Sequence, residues 1–403
     1  MQKKLLLLGG LKYSMPIIEE AHKLGSYVIT ADNVPDNIAH KYSDQYVNVS
    51  VIDKDMVLQK AIDLQIDGVL SHAVDPGVTT AAYVAEKMKL PYQCSYNAAK
   101  ILQNKYLFRN FLRENHFNCP NATSFTNIED ALSSINDLML PIIVKPVDSA
   151  GSKGVSKVDA LENLPEALNE ALEYSISNEI IVEEYIESHG FPFGIESFVV
   201  NGELRYNGFY DQYFDSESSN PFVPVAEIWP SVMSEEIQGK VKNELQRLFT
   251  LLQINTGLFN VECRLGKNNK VYLMEVSPRG GGNRLAEMLN YASDVNLIQA
   301  ETSKALGIPL CEIHEPNYNG HYAIVVLHSL ESGIYDELII DNDVRTNYLI
   351  EEEVRVVRGD SVNNFSAANT SIGTLFMRFK SRKELDHILN TQSNWLKIKL
   401  KKR

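Results

Sequence analysis

The chain has 403 residues, enough for two or three globular domains. A hydrophobic content of 44% and a charged content of 22% are ordinary for globular proteins, so extended disorder is not expected. Acidic residues outnumber basic ones by 52 to 38, and the resulting net charge of −14 argues against sequence-independent nucleic-acid binding, which relies on basic surfaces. The cysteines, Cys94, Cys119, Cys263 and Cys311, form no CxxC pair, so neither a zinc cluster nor a disulfide framework is indicated.

The sequence shows no membrane signal. The apolar run Leu5 to Leu8 follows two lysines but ends at Gly9-Gly10, so it is too short for a signal sequence and reads as a strand. No stretch approaches the roughly 20 apolar residues that span a bilayer. We therefore expect a cytoplasmic protein with no membrane partner.

The first hundred residues alternate short apolar runs with helical patterns. Strand-like runs at 5–8, 27–31 and 68–71 alternate with helical segments at 17–24, 56–64 and 79–88. This order predicts a parallel sheet with helices on its faces. His72 and Asp75 follow the third run, at the carboxyl edge where such sheets bind ligands, so both are candidate substrate contacts.

The first turn stands where a dinucleotide fold would carry its phosphate loop. Asp32 ends the second strand, as a ribose-binding acid would, but no third glycine follows Gly10 before Gly25. A structural turn is therefore favoured over a nicotinamide-nucleotide site, and an oxidoreductase remains a rival hypothesis.

Two lysines and a small-residue loop form the next candidate site. Asn104 is placed to cap an amphipathic helix over 104–115, and Lys105 in its first turn opposes the helix dipole, which suggests a role other than helix stability. Lys145 ends a proline-bounded strand at 141–146. The loop that follows, 148–155, has backbone N–H groups that could approach phosphates closely, although it is not a P-loop.

The rest of the chain mixes strand and helix patterns. Strand-like runs at 195–200 and 204–209 are joined by Asn201-Gly202 as a hairpin turn, after a strand at 179–183. We predict an exposed loop over 211–230, a helix over 234–252, and one helix from Arg284 through Leu306. From 307 the tail is predicted to be a small α+β cap with strands at 322–327, 354–357 and 373–379.

A hairpin over 261–276 carries two carboxylates. If its turn spans Lys267 to Lys270, Glu262 lies directly opposite Glu275. Cross-strand neighbours have Cβ atoms roughly 4.5 to 5.5 Å apart, and like charges there repel. A divalent cation such as Mg²⁺ would offset that repulsion, whereas a solvated edge hairpin is the alternative.

The order of these features, Lys105, Lys145, the glycine loop, Glu-Glu-Tyr-Ile at 183–186, Glu196, Glu262, Glu275 and Arg279, resembles the ATP-grasp superfamily of carboxylate-amine ligases. The resemblance covers roughly residues 1 to 310. It implies an N-terminal α/β domain over 1–103, an ATP-grasp domain over 104–306 with a lid at about 120–190, and a C-terminal α+β domain over 307–403. The fold class is thus α/β and α+β.

The resemblance also assigns roles to residues. It implies that ATP phosphates are contacted by Lys105, Lys145 and the loop residues Ser149, Gly151, Ser152, Lys153, Gly154 and Val155, and that adenine lies against Glu183, Glu184, Tyr185 and Ile186. Glu196 would bind the ribose, Glu262 and Glu275 would hold Mg²⁺ (or Mn²⁺), and Arg279 would stabilise an acyl phosphate. Ser277 stands where the family has an asparagine, and its hydroxyl can coordinate the metal or hold a water that does.

The implied reaction is phosphorylation of a substrate carboxylate by ATP, followed by attack of an amine on the acyl phosphate. Arg284 is a candidate for binding the substrate carboxylate. The expected partners are small carboxylates and amines, with a homodimer as one assembly that the resemblance allows. The alternatives are bicarbonate activation through carboxyphosphate, as in carboxylases and carbamoyl phosphate synthetases, and nucleotide binding without turnover.

Overall fold

The computed structural model describes residues 2–134, 139–190 and 192–402. Within those residues the strands form sheets of four, eight, three and four strands, and the helices lie mainly between and over them. None of the helices in these ranges combines the length and apolarity needed to cross a bilayer.

The N-terminal region is a parallel sheet of order β3-β2-β1-β4, as its alternating pattern predicts. Leu5 and Leu7 of β1 enter the core on one face, and Leu6 and Leu8 enter the core on the other, so this strand is buried on both sides. Asp32 accepts from the N–H groups of Gly10 and Val34, which ties its carboxylate to the first turn. The elements are β1 Lys4–Leu8, α1 Met15–Lys23, β2 Tyr27–Asp32, β3 Gln45–Asn48, α2 Lys54–Leu64, β4 Gly68–Leu70 and α3 Asp75–Met88.

Two helices and an antiparallel sheet of order β5-β8-β6-β7 follow. The Asn104 side chain accepts from the Leu107 N–H and caps α5, as predicted. Val144 and Val182 of this sheet pack against Leu168 of α7 in a separate core. The elements are α4 Tyr96–Gln103, α5 Lys105–Glu114, β5 Ala122–Phe125, α6 Ile128–Ser134, β6 Ile142–Pro146, β7 Ser156–Val158, α7 Leu164–Glu173 and β8 Ile180–Glu184.

The largest sheet has the order β13-β12-β9-β10-β11-β14-β18-β16 and carries both main cores. Phe198 and Leu258 on one face pack with Leu289, whereas Ile195 and Phe259 on the other face pack with residues of α8. The Asn201-Gly202 hairpin is found as predicted, with both residues at positive φ. The elements are β9 Phe193–Val200, β10 Glu203–Phe214, β11 Pro224–Trp229, α8 Glu235–Leu251, β12 Gly257–Leu265, β13 Val271–Ser277, α9 Leu285–Ser293 and α10 Leu297–Ala305.

The C-terminal strands β14, β18 and β16 extend this large sheet, while β17, β15 and β19 form a small sheet of their own. The observed mixture of a parallel sheet with antiparallel sheets confirms the predicted fold class. The elements are β14 His321–Leu327, β15 Gly333–Ile340, α11 Asn342–Tyr348, β16 Leu349–Val354, β17 Ser361–Val362, β18 Gly373–Phe379, α12 Arg382–Asn390, α13 Gln392–Trp395 and β19 Leu396–Lys401.

Three sequence predictions of secondary structure are wrong. The predicted loop over 211–230 is strand at both ends, over 211–214 and 224–229, and Asp211 is buried against Arg382, so its polarity does not mark an exposed turn. The single helix predicted through Leu306 is two helices separated at Asp294, which has a positive φ of 59°. The strand predicted at 354–357 ends at Val354.

Candidate functional site

The β12/β13 hairpin places Glu262 directly opposite Glu275, as the sequence predicts. The register then shifts by one residue, because Cys263 pairs with Leu273 and Met274 is passed over. The Met274 carbonyl accepts a 2.8 Å hydrogen bond from Nη1 of the buried Arg109. This β-bulge is therefore tied to helix α5 immediately beside Glu275.

The two carboxylates differ electrostatically. Glu262 is accessible to solvent, yet the surrounding protein reduces its hydration and Glu275 repels its charge, so its pKa is raised. Burial also disfavours the Glu275 carboxylate, but the charges of Lys105, Arg279 and Lys145 outweigh that cost and lower its pKa. The Lys105 Nζ atom lies 3.7 Å from Glu275 Oε2. One carboxylate is thus held ionised beside a second that it repels.

Ser277 lies within the same group of polar side chains. Its Oγ atom is 3.2 Å from Asp75 Oδ1 and 3.3 Å from Glu275 Oε1, and it accepts from Gln103 Nε2 at 3.2 Å. Two opposed carboxylates and a hydroxyl are hard oxygen donors of the kind that Mg²⁺ takes, so these residues fit a magnesium ion. In the described ranges no cluster of three or more His, Cys, Asp or Glu is placed to hold a metal.

Lys145 belongs to a buried triad of charged side chains. Its Nζ donates to Glu183 Oε1, and Arg109 Nε donates to Glu183 Oε2 at 2.9 Å. Burial alone would raise the pKa of Glu183, but Arg109 and Lys145 lower it to about 2. Burial lowers the pKa of Lys145 to about 8, against the opposing effect of Glu183.

Arg109 was missed by the sequence reasoning. It is 0% exposed and links Glu183, at the predicted adenine hinge, to the strand of Glu275. The available signal was its position four residues after Lys105, which places both cations on one side of α5. A single charged residue in an amphipathic helix otherwise reads as solvent-exposed.

The glycine loop and α5 meet at a narrow cleft. Lys105 Nζ donates to the Ser149 carbonyl at 2.8 Å, and Ser152 Oγ donates to the Phe222 carbonyl at 3.0 Å. The loop turns sharply before Val155, because three of its residues, Gly151, Ser152 and Gly154, have positive φ. Lys153 lies within this turn and is partly buried. The cleft is lined by Asp75, Leu102, Gln103, Lys105, Phe108, Asp148, Ser149, Ala150, Met274 and Glu275.

The predicted adenine hinge has side chains that are already engaged. Both carboxylate oxygens of Glu184 accept from Asn121, each at 2.9 Å. Arg264 donates to the Ile186 carbonyl at 3.1 Å, and its guanidinium carbon lies 5.5 Å from the ring centroid of Tyr185. The role of this segment toward adenine stays a prediction.

Arg279 forms an ion pair with a residue of the N-terminal region. Its Nε and Nη2 atoms donate to Asp75 at 3.0 and 2.9 Å, and Asp75 begins helix α3 of the N-terminal region. Asp75 therefore contacts a predicted catalytic residue.

Glu196 accepts hydrogen bonds from Asn260 Nδ2 at 2.7 Å and from the N–H of Gly281, two residues after Arg279, at 3.1 Å. Burial raises the pKa of Glu196 to about 7 although these hydrogen bonds oppose the shift. Its contacts are thus with the segment that follows Arg279, and the predicted ribose role stays a prediction.

The other two substrate candidates have protein partners. His72 is buried and its Nδ1 lies 2.6 Å from Glu301 Oε2. Arg284 contacts Glu287 and Glu351, each at 2.7 Å. A substrate carboxylate would have to compete with these partners for Arg284, and the role of Arg284 toward substrate stays a prediction.

A family model for the ATP-grasp domain matches residues 138–287. A formate-dependent phosphoribosylglycinamide formyltransferase of Prochlorococcus marinus is 27% identical over 82% of this chain and 83% of its own. The C-terminal section of a carbamoyl phosphate synthase large chain of Aquifex aeolicus is 25% identical over 56% of this chain, but the match spans only 43% of that relative.

Among solved structures, an L-amino acid ligase from Bacillus licheniformis has a TM-score of 0.85 at 22% identity and covers 99% of both chains. At that identity the likeness shows a shared fold. The matched domain and the curated relatives show that the chain carries an ATP-grasp domain over 138–287 and is similar to ATP-dependent ligases of that superfamily.

Proposed function

We propose that this protein is a carboxylate-amine ligase in which ATP phosphorylates a substrate carboxylate and an amine attacks the resulting acyl phosphate. The observation that carries the proposal is the pair Glu262 and Glu275, opposed across a hairpin and bordered by Lys105. Such a pair suits a Mg²⁺-nucleotide better than it suits the stability of an empty hairpin.

The chain would contribute mainly charge and position. Lys105, Lys145 and Lys153 would bind the phosphates of ATP, and Arg279 would bind the charge that develops on the transferring phosphoryl group. Glu262 and Glu275, with Ser277 beside them, would hold Mg²⁺, which when bound neutralises phosphate charge. Closure of the loop over 148–155 would exclude water from the acyl phosphate.

The proposed reaction needs no oxidant or reductant. A carboxylate oxygen attacks the γ-phosphorus and ADP leaves; the amine nitrogen then attacks the acyl carbon and inorganic phosphate leaves. The amine loses a proton as the amide forms. We propose that the protein is an amino-acid or dipeptide ligase, or that it amidates an acidic sugar. We also propose that it assembles as a homodimer.

Hydroxylamine trapping tests the proposal directly. The protein is incubated with Mg-ATP, hydroxylamine and a panel of carboxylates, and we expect one class of acid to yield hydroxamate together with ADP. Glu275→Gln is the control for contaminating ligases and should yield none. ADP release that no carboxylate and amine pair stimulates would contradict the proposal, and turnover that depends on bicarbonate would favour the carboxyphosphate alternative.

A further inference from the structure

Glu227 of β11 is a buried carboxylate that the proposed mechanism does not use. Its side chain is 2% exposed, and Oε1 accepts a 2.8 Å hydrogen bond from Asn283 Nδ2. Its second oxygen, Oε2, is buried and has no hydrogen-bond partner among the residues that the structure describes. This carboxyl group therefore retains an unused acceptor inside the protein.

No salt bridge to Glu227 occurs within the described ranges, and burial raises its pKa to about 7 despite the Asn283 hydrogen bond. A buried acceptor without a partner costs free energy, so its retention calls for a compensating ligand or a proton.

The strand register places Glu227 on the face of the large sheet that carries the metal carboxylates. Gly194 is opposite both Glu262 and Tyr210 in the neighbouring strands. Gln212, two residues beyond Tyr210, is opposite Glu227. Because side chains two residues apart share a face, Glu227 and Glu262 project to the same side of the sheet.

The segment after Arg279 also reaches Glu227. Gly281 donates to Glu196, and Asn283, two residues further on, donates to Glu227. Asn283 has a positive φ of 51°, and a Cβ at Gly282 would meet no atom within 4 Å. The only protein donor to Glu227 in the described ranges thus comes from a glycine-rich segment with open space beside it.

We propose that Glu227 binds the ammonium group of a substrate, which donates to Oε2 while Asn283 holds Oε1. The inference rests on the proposed function, because it adds a cationic amine to the substrates of that same site. A primary ammonium supplies both a positive charge and three N–H donors, the two things that this carboxylate lacks. Glu227 would then select amino-acid substrates over acids that lack the amine.

Binding measurements on the full-length protein test the inference without requiring turnover. Dissociation constants are measured by calorimetry, with a non-hydrolysable Mg-ATP analogue present, for amino acids and their des-amino counterparts, such as alanine with propionate and phenylalanine with 3-phenylpropionate. We expect wild-type protein to bind at least one ammonium-bearing ligand at least 10-fold more tightly than its counterpart. Glu227→Gln should reduce that preference to less than 2-fold.

Two further variants keep the test decisive. Glu173→Gln, at an exposed glutamate of α7, is the matched control and should keep the full preference. Glu227→Met, which has similar volume and no charge, replaces Glu227→Gln if the latter does not fold. A wild-type protein without the preference, or a Glu227 variant that keeps it, would overturn the inference.

Hydroxamate formation separates this inference from the proposed function. If wild-type protein forms hydroxamate but Glu227→Gln keeps its ammonium preference, the ligase function stands and the role of Glu227 is refuted. If the preference is lost in Glu227→Gln but wild-type protein forms no hydroxamate with any acid, the binding site stands and the ligase function is refuted.

Discussion

Buried glutamates in two regions of this protein have opposite electrostatic environments. Glu183, in the four-stranded antiparallel sheet, is contacted by both Arg109 and Lys145, and its pKa falls to about 2. Glu196 and Glu227, in the large sheet, have hydrogen bonds to amides but no ion pair within the described ranges, and burial raises the pKa of each to about 7. Burial is nearly complete in all three, so the number of adjacent cations decides the difference.

The contrast indicates what each region is prepared to bind. The triad of Arg109, Lys145 and Glu183 has two cations for one carboxylate. Its excess of positive charge suits phosphate binding. The face of the large sheet has carboxyl groups in excess, which suits a metal ion at Glu262 and Glu275 and an ammonium at Glu227. A reaction between a nucleotide and an amine-bearing acid needs both environments side by side.

Glu275→Gln tests the carboxylate at the boundary between the two regions and should have the largest effect. We expect turnover to fall by about 1,000-fold or more, because a metal ligand and a compensating charge for Lys105 are both lost. The melting temperature should change little, because losing the contact with Lys105 and removing the repulsion from Glu262 have opposite effects on stability. Hydroxamate formation and thermal unfolding measure the two effects; a clear fall in melting temperature without metal would instead indicate a structural role.

Arg109→Met should destabilise the protein by breaking the triad of Arg109, Lys145 and Glu183. Glu183 would keep only Lys145 as a cationic partner, and breaking a buried ion pair costs about 3 to 5 kcal/mol of unfolding free energy. The KM for ATP should also rise, because Lys145 and the strand of Glu275 lose their common support. Urea unfolding and ATP kinetics measure both changes, with Arg113→Met, at an exposed position of the same helix, as the control. Unchanged stability would mean that the triad is not a structural unit.

The pH dependence of stability should separate the two regions. Because the pKa of Glu227 is raised from 4.5 to about 7, its contribution to stability is present below pH 4.5 and is lost as the pH rises to 7. Above pH 7, the buried carboxylate of Glu227 or of Glu196 lowers the free energy of unfolding by at most about 3 kcal/mol. The contribution of Glu183 has the opposite sign, since its lowered pKa makes that contribution present above pH 4.5 and lost as the pH falls toward 2.

Glu227→Gln and Glu196→Gln should each flatten the loss of stability between pH 4.5 and 7. Urea unfolding at pH 5 and pH 8 measures the change, and Glu173→Gln should leave the wild-type profile unaltered. A profile that stays steep in both buried variants would refute the raised pKa values. The same measurements below pH 4.5 report on Glu183.

Ser277 substitutions should have the smallest effect. Ser277→Ala removes a hydroxyl that contacts Glu275 and Asp75, and we expect the Mg²⁺ concentration for half-maximal activity to rise by about 10-fold or less. Ser277→Asn restores an oxygen donor and should recover most of the wild-type value. An alanine variant with unchanged magnesium dependence would exclude the hydroxyl from the metal shell.

Local sequence patterns predicted local structure well. The pairing of Glu262 with Glu275 follows from a short hairpin, the turn at Asn201-Gly202 from its residue types, and the cap at Asn104 from its position before a helix. Even there, the bulge at Met274 shifted the remaining register by one residue, because its carbonyl bonds to Arg109 from another element.

Buried polar residues were the main source of error. The Ser, Asp and Pro content of 211–230 predicted an exposed loop, whereas Asp211 and Glu227 in this segment lie in strands and are buried. Arg109 was not singled out in the sequence, because a charged residue of an amphipathic helix usually lies at the surface. A polar side chain can be buried only when distant partners satisfy it, and those partners are not visible in a local pattern.

The sequence by itself therefore determined the fold class, the order of the lysine, glycine-loop and carboxylate motifs, and the facing pair on the hairpin. These features depend on hydrophobic periodicity, turn chemistry and contacts between residues close along the chain. Only the tertiary structure decided which charges are compensated. Arg109 forms an ion pair with Glu183, 74 residues away along the chain, whereas Glu227 has no cationic partner in the described ranges. Because the pKa of a buried carboxyl depends on those long-range neighbours, the character of the two binding regions became apparent only in the folded chain.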